Sequence, residues 1–166
     1  MADEKPLVAV VMGSKSDGPV MEGCTRTLAE LGIPHEVRVL SAHRTPEDTR
    51  RFAEEAEEKG LRVIIAGAGW AAHLAGFIAA HTTLPVIGVP IDSSPLKGID
   101  ALLSTVQMPP GIPVATVSLG AGGAKNAAVL AGEILGLTDS AVAARIKAYR
   151  ENLAREAREP TGVWNP

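Results

Sequence analysis

Leu7-Val-Ala-Val-Val-Met12, followed at once by Gly13-Ser-Lys-Ser-Asp17-Gly18, is the stretch that decides the fold. A short apolar run rich in valine reads as a strand buried on both faces of a parallel sheet, since a half-exposed strand would alternate polar and apolar residues. Outward from it, Pro19 to Leu31 has helical spacing and closes at Gly32, and Glu36 to Leu40 reads as the second strand. Thr45 as cap, Pro46 in the first turn and Asp48 at the third position predict a helix to Gly60 with a solvated, charged face. Arg62 to Ala66 is the third strand, followed by an apolar helix to about His81, and Val86 to Val89 is the fourth. Ser94 and Pro95 start a helix that ends before Met108, and Val114 to Leu119 is the fifth strand. Gly120 opens a helix to about Leu135. A last helix runs from Thr138, with Val142, Ile146, Tyr149 and Leu153 on one stripe.

Strands alternating with helices imply parallel pairing with right-handed crossovers. Five strands in 166 residues fit a flavodoxin-like α/β fold, a three-layer α/β/α sandwich with sheet order 2-1-3-4-5. We expect one domain over residues 1–166, with a core at about 7–136 and a C-terminal helical extension at about 138–158. In that order the loops 13–18, 41–45 and 67–73 open on one crevice at the carboxyl ends of the strands.

Composition removes whole classes of function. With 46% hydrophobic and 21% charged residues the chain has ample material for a core and does not read as disordered. Sixteen basic against 19 acidic residues give a net charge of -3, without the basic stripe that nucleic-acid binding requires. The single cysteine, Cys24, makes neither an internal disulfide nor a Cys-based zinc site, so a reducing, cytoplasmic setting is expected. Met1 to Pro6 lacks the basic-then-apolar order of a signal peptide. The uncharged stretches Val63–Ile91 and Ala101–Ala124 are punctuated by Gly and Pro and read as buried core rather than membrane spans. No metal-ligand spacing and no Gly-x-Ser-x-Gly elbow is present.

The three loops carry the chemistry. Ser14, Ser16 and Asp17 precede a helix start, where small hydroxyls and backbone N–H groups hold a phosphate and an aspartate suits a sugar diol. Helix capping by Ser16 or Asp17 explains the same residues equally well. Ser41, His43 and Arg44 place a hydroxyl, an imidazole and a guanidinium within four positions. The guanidinium offers a planar fork to a phosphate, and histidine, with an unperturbed pKa of about 6.5, exchanges protons near neutrality. Here the functional reading is favoured over a structural one. Gly67-Ala-Gly69-Trp-Ala-Ala72 matches G-x-G-x-x-A, with Asp92 after the next strand, which admits a dinucleotide site. Yet the motif follows the third strand rather than the first, and the sheet falls a strand short of the usual six. Otherwise it is a tight turn that lets the backbone at Gly69 approach a ligand, with His73 capping the next helix or contacting that ligand. Trp70 and Trp164 are open to packing or recognition alike. His35 and His81 fit surface or helix-end roles.

Together these segments resemble the bacterial 5-(carboxyamino)imidazole ribonucleotide mutases, the class I type of the PurE family. The resemblance runs from Val8 to about Arg150. Its carriers are VMGSKSD (Val11–Asp17), VRVLSAHRTP (Val37–Pro46), AGAG (Ala66–Gly69), AAHL (Ala71–Leu74), LPVIGVP (Leu84–Pro90), STVQMPPGIPVAT (Ser104–Thr116) and GAKNAA (Gly123–Ala128). It implies a cofactor-independent, metal-free isomerase of purine synthesis, which moves a carboxylate from an exocyclic nitrogen to a ring carbon by decarboxylation and recapture of carbon dioxide. It implies that the phosphate meets Ser14, Ser41 and Arg44, that the ribose meets Asp17, and that His43 is the acid/base. It also implies a homo-octamer with sites shared between subunits, with which the mean hydropathy of +0.14 is compatible. Trp70 and Ala75 depart from it, standing where glycine and proline are usual. The animal-type carboxylase, which takes free carbon dioxide, usually has Lys after this His, so Arg44 and Gly67–Gly69 favour the mutase. A nicotinamide-dependent oxidoreductase and a non-catalytic phosphosugar-binding module are the competing readings.

Overall fold

The computed structural model describes residues 5–158; Trp164 lies outside them. Strand β1 (Val8–Met12) runs between β2 (His35–Val39) and β3 (Val63–Gly69), and β4 (Val86–Ile91) and β5 (Ala115–Thr116) complete the sheet. The order is β2-β1-β3-β4-β5 and every pairing is parallel, as expected for a flavodoxin-like fold. In β1 successive side chains alternate between two cores. Val8, Val10 and Met12 face one, and Ala9 and Val11 the other, which is why the run carries no polar residue.

The first face is covered by α1 (Gly18–Glu30), α5 (Gly120–Gly136) and α6 (Ser140–Arg158). Alanines at 124, 127, 128 and 131 give α5 a smooth inner surface, so it packs closely on the sheet and on α1. The second face is covered by α2 (Pro46–Glu55) and α3 (Leu74–Ala79), with α4 (Ile99–Val106) over β4 and β5. Here the sheet itself makes room. A Cβ at Gly88 would come within 2.4 Å of Thr105 Cγ2 and 2.9 Å of Val114 Cγ1, so glycine is what lets α4 lie down on β4.

Several expectations are corrected. β3 extends to Gly69, because Gly67, Ala68 and Gly69 pair with Val89, Pro90 and Ile91 of a longer β4; the glycines are strand and not a tight turn. The turn falls one residue later, at Trp70, whose φ is +55°. β5 shrinks to two residues. α4 starts at Ile99 and not at Ser94, since Lys97 (φ +50°) and Gly98 (φ +84°) are both left-handed and break any helix before them. α2 stops at Glu55, short of Gly60, and Thr45 gives it no side-chain cap. Thr45 Oγ1 instead accepts from Ser41 N at 3.1 Å and donates to Ser41 O at 3.2 Å, which closes the preceding loop. On α6, Val142 and Ile146 are buried and Tyr149 packs on the core, whereas Leu153 is half exposed.

Candidate functional site

Parallel strands deliver their following loops to one edge, and there the structure has a cavity of about 540 Å³. All of Ser14, Ser16, Asp17, Ser41, His43, Arg44, Gly69 and His73 border it. The chain brings them together from three strand ends.

After β1, residues 15–17 form one turn of 3₁₀ helix. Ser14, and neither Ser16 nor Asp17, is its cap. Ser14 Oγ accepts from Ser16 N at 3.3 Å and Ser16 Oγ at 2.9 Å, while Asp17 Oδ2 accepts from Ser14 N at 2.9 Å. This reciprocal capping fixes the loop. Asp17 gives α1 no side-chain cap. Its burial pushes the carboxyl above the ordinary carboxylate range, against the Ser14 N–H and the Arg44 charge, which pull it down. Asp17 thus borders the cavity as a buried carboxylate that already accepts one backbone bond, from Ser14 N.

After β2, Arg44 ties the loops to one another. Its Nη2 donates to Gly13 O at 2.7 Å, and its Nε and backbone N each donate to Ser41 Oγ at 3.2 Å. Two of the guanidinium's five donors are engaged this way among the described residues, and the rest of the fork suits an oxyanion. Ion pairs such as Arg50–Glu47 and Arg51–Asp48 lie on exposed α2, and among the described residues Arg44 forms none.

After β3 the lining turns apolar, with Ala68, Ala71 and Ala72 beside Trp70. Gly69 is demanded by Ser93: a Cβ there would sit 1.8 Å from Ser93 Oγ and 3.1 Å from Ile91 O. His73 stands at the start of α3 without making a side-chain cap, so the capping alternative does not hold. Its ring instead meets His43, with centroids 5.1 Å apart, and packs edge-on against Phe77 at 5.5 Å. Partial burial, and then the charge of His43, lower the pKa of His73. His73 is thereby biased toward the neutral ring, a donor-acceptor beside the His43 imidazole.

Sequence reasoning missed Ser93, which borders the cavity from the end of β4. Its signal was position: a hydroxyl just past the carboxyl end of a strand adjacent to β3. Asp92, the acid that a dinucleotide site would need, does not border the cavity. His35 and His81 bond backbone carbonyls through Nδ1, to Ile33 O at 2.9 Å and Phe77 O at 2.8 Å, and are structural. Burial pushes the Cys24 thiol up to about 12, so it is unreactive. Among the described residues, no three His, Cys, Asp or Glu side chains converge to hold a metal, and no helix is long and apolar enough to cross a membrane.

The sequence pattern described as AIR carboxylase matches residues 7–156. Curated relatives called N5-carboxyaminoimidazole ribonucleotide mutase include one from Mycobacterium tuberculosis, 58% identical over 153 residues, covering 92% of this chain and 87% of that protein. Another, from Pyrococcus horikoshii, is 54% identical over 159 residues, covering 96% of this chain and 89% of its own length. The crystal structure of Treponema denticola PurE is similar with a TM-score of 0.83 at 34% identity, over 93% of this chain and 96% of that one.

Proposed function

The chain belongs to the AIR carboxylase family, and we propose that it is a mutase of purine biosynthesis, converting 5-(carboxyamino)imidazole ribonucleotide to 4-carboxy-5-aminoimidazole ribonucleotide. The observation that carries this reading is the convergence of His43, Arg44, Ser14 and Asp17 on one cavity with an apolar end. Residues 1–166 act as one domain.

Arg44, Ser41 and Ser14 take the phosphate, since the fork and hydroxyls are already held by bonds within the two loops and by one between them, Arg44 to Gly13. Asp17 accepts from the ribose hydroxyls, which relieves a buried carboxylate. The base then points to the apolar end, near Gly69, His43 and His73. His43 donates a proton to the exocyclic nitrogen, the nitrogen–carboxylate bond breaks, and carbon dioxide is released beside an electron-rich aminoimidazole. The ring carbon attacks the carbon dioxide, and its proton returns to His43. One proton is lent and recovered, so no cofactor is consumed. Positioned proton transfer of this kind contributes roughly 10²–10⁴-fold, and carbon dioxide retained against the ring adds effective concentration.

The active form is a homo-octamer with shared sites, working in the reducing cytoplasm. Supporting this, Ile99, Leu103 and Val106 of α4, together with Leu96 in the turn before it, are large apolar side chains left exposed on one chain. Light scattering should find no stable, fully active monomer.

The test supplies 5-(carboxyamino)imidazole ribonucleotide without ATP, metal or bicarbonate and follows the carbon-carboxylated product by ultraviolet absorbance. Rapid product supports the mutase. Product only from aminoimidazole ribonucleotide plus free carbon dioxide makes it the carboxylase, and no product from either makes it a binding module.

A further inference from the structure

Aromatic side chains are few in this chain: two Trp, two Phe and one Tyr. Among the described residues Phe52 is buried in the second core, Phe77 packs against it, and Tyr149 packs against the first. Trp70 serves neither core. It is 60% exposed, it borders the cavity, and it occupies a left-handed backbone conformation (φ +55°) that any residue with a Cβ adopts at a cost. The turn it makes is nonetheless fixed, with β3 ending at Gly69 beneath Ser93 on one side and Ala72 N donating to Trp70 O at 2.9 Å on the other. A large aromatic placed at a strained position, facing neither core, at the apolar end of a ligand cavity, calls for an aromatic partner in that cavity.

We propose that Trp70 is a specificity-determining residue whose indole stacks on the substrate's aminoimidazole ring. This rests on the mutase reading of the site. The polar end of the cavity, with Ser14, Ser41 and Arg44, recognises only a phosphate, and the Ala68, Ala71 and Ala72 methyls offer the ring little contact. Trp70 supplies the flat face that separates a phosphoribosyl heterocycle from a bare sugar phosphate. Stacking acts alike on substrate and transition state, so it is read in KM and not in kcat.

The experiment uses the full chain carrying W164F, which leaves Trp70 as its one tryptophan. Fluorescence is titrated with 5-aminoimidazole ribonucleotide and with ribose 5-phosphate, and calorimetry measures the binding of each. The nucleotide should shift or quench the emission, while ribose 5-phosphate binds without doing so. In kinetics, W70G should raise KM about tenfold, within the range stacking of a base contributes, with kcat changed by less than about threefold. W70F should recover most of the loss. The melting midpoint of W70G should be unchanged or higher, because glycine takes the left-handed turn freely. Nucleotide binding with silent fluorescence, or a W70G KM equal to the parent's, overturns the proposal. So does dissociation of the W70G assembly, which would reassign Trp70 to a subunit contact. If the parent protein neither binds nor converts the nucleotide, the mutase reading itself falls and this inference with it.

Discussion

The loops after β1 and β2 differ in kind from the loop after β3. The first two are knotted together: Arg44 bonds Gly13 and Ser41, Ser14 caps its own turn, and Asp17 returns a bond to Ser14. The third has one short-range backbone bond, apolar side chains, and a tryptophan held left-handed. Charge recognition gains from donors fixed before the ligand arrives, because their ordering cost is met in folding. Holding a planar ring beside carbon dioxide asks instead for apolar surface and the absence of competing donors. One crevice therefore contains a rigid polar half and an apolar half, joined where His43 meets His73.

The sharpest way to break this contrast is Arg44→Ala. Losing two or three charge-assisted bonds to a phosphate should weaken nucleotide binding by at least about a hundredfold in calorimetry. Because Arg44 is exposed, the melting midpoint should move little. A large loss of stability with little loss of affinity would mean that the knot serves the fold and not the ligand.

Gly69→Ala tests the other half through its backbone. The new Cβ meets Ser93 Oγ and Ile91 O, and overpacking of this kind costs about 1–3 kcal/mol in chemical denaturation. Adding Ser93→Gly to that variant should recover part of the loss, since the carbonyl contact remains.

Asp17→Asn should produce the smallest change and one of opposite sign in stability and binding. Burial raises the carboxyl's pKa, so the folded chain holds that proton more tightly than the unfolded chain. Stability from the group is therefore complete below about pH 4 and is lost as pH rises through the raised value. Asparagine keeps an acceptor for Ser14 N and carries no charge. Its melting midpoint at pH 7 should equal or exceed the parent's, with a flatter pH dependence above pH 4, while nucleotide affinity falls about tenfold. A lower midpoint at neutral pH would show that the carboxylate stabilises the empty protein.

How far the sequence disclosed this depends on whether a signal was local. The strand Val8–Met12 was legible because both faces are covered, and the polar loops because they follow strands in order. Gly67 and Gly69 misled, since glycine reads as punctuation unless one knows what fills the place of its Cβ. In the structure Met21 and Ser93 fill those places, from a helix and a strand end that only folding brings near. Lys97 hid the true start of α4 for a related reason: a left-handed lysine has no composition signal. Ser93 and the approach of His43 to His73 are likewise products of tertiary packing. The curvature of the site was not written locally, whereas the residues that its first two loops bring to the cavity were.

The most direct measurement is made on His43→Asn: single-turnover conversion of 5-(carboxyamino)imidazole ribonucleotide beside the dissociation constant of the product nucleotide. Asparagine keeps a polar side chain at the cavity and cannot lend or recover a proton. The account predicts that turnover falls at least about a hundredfold while binding stays within about threefold of the parent. Turnover that survives with binding intact would contradict it, and would move the proton-transfer role to another group in the crevice.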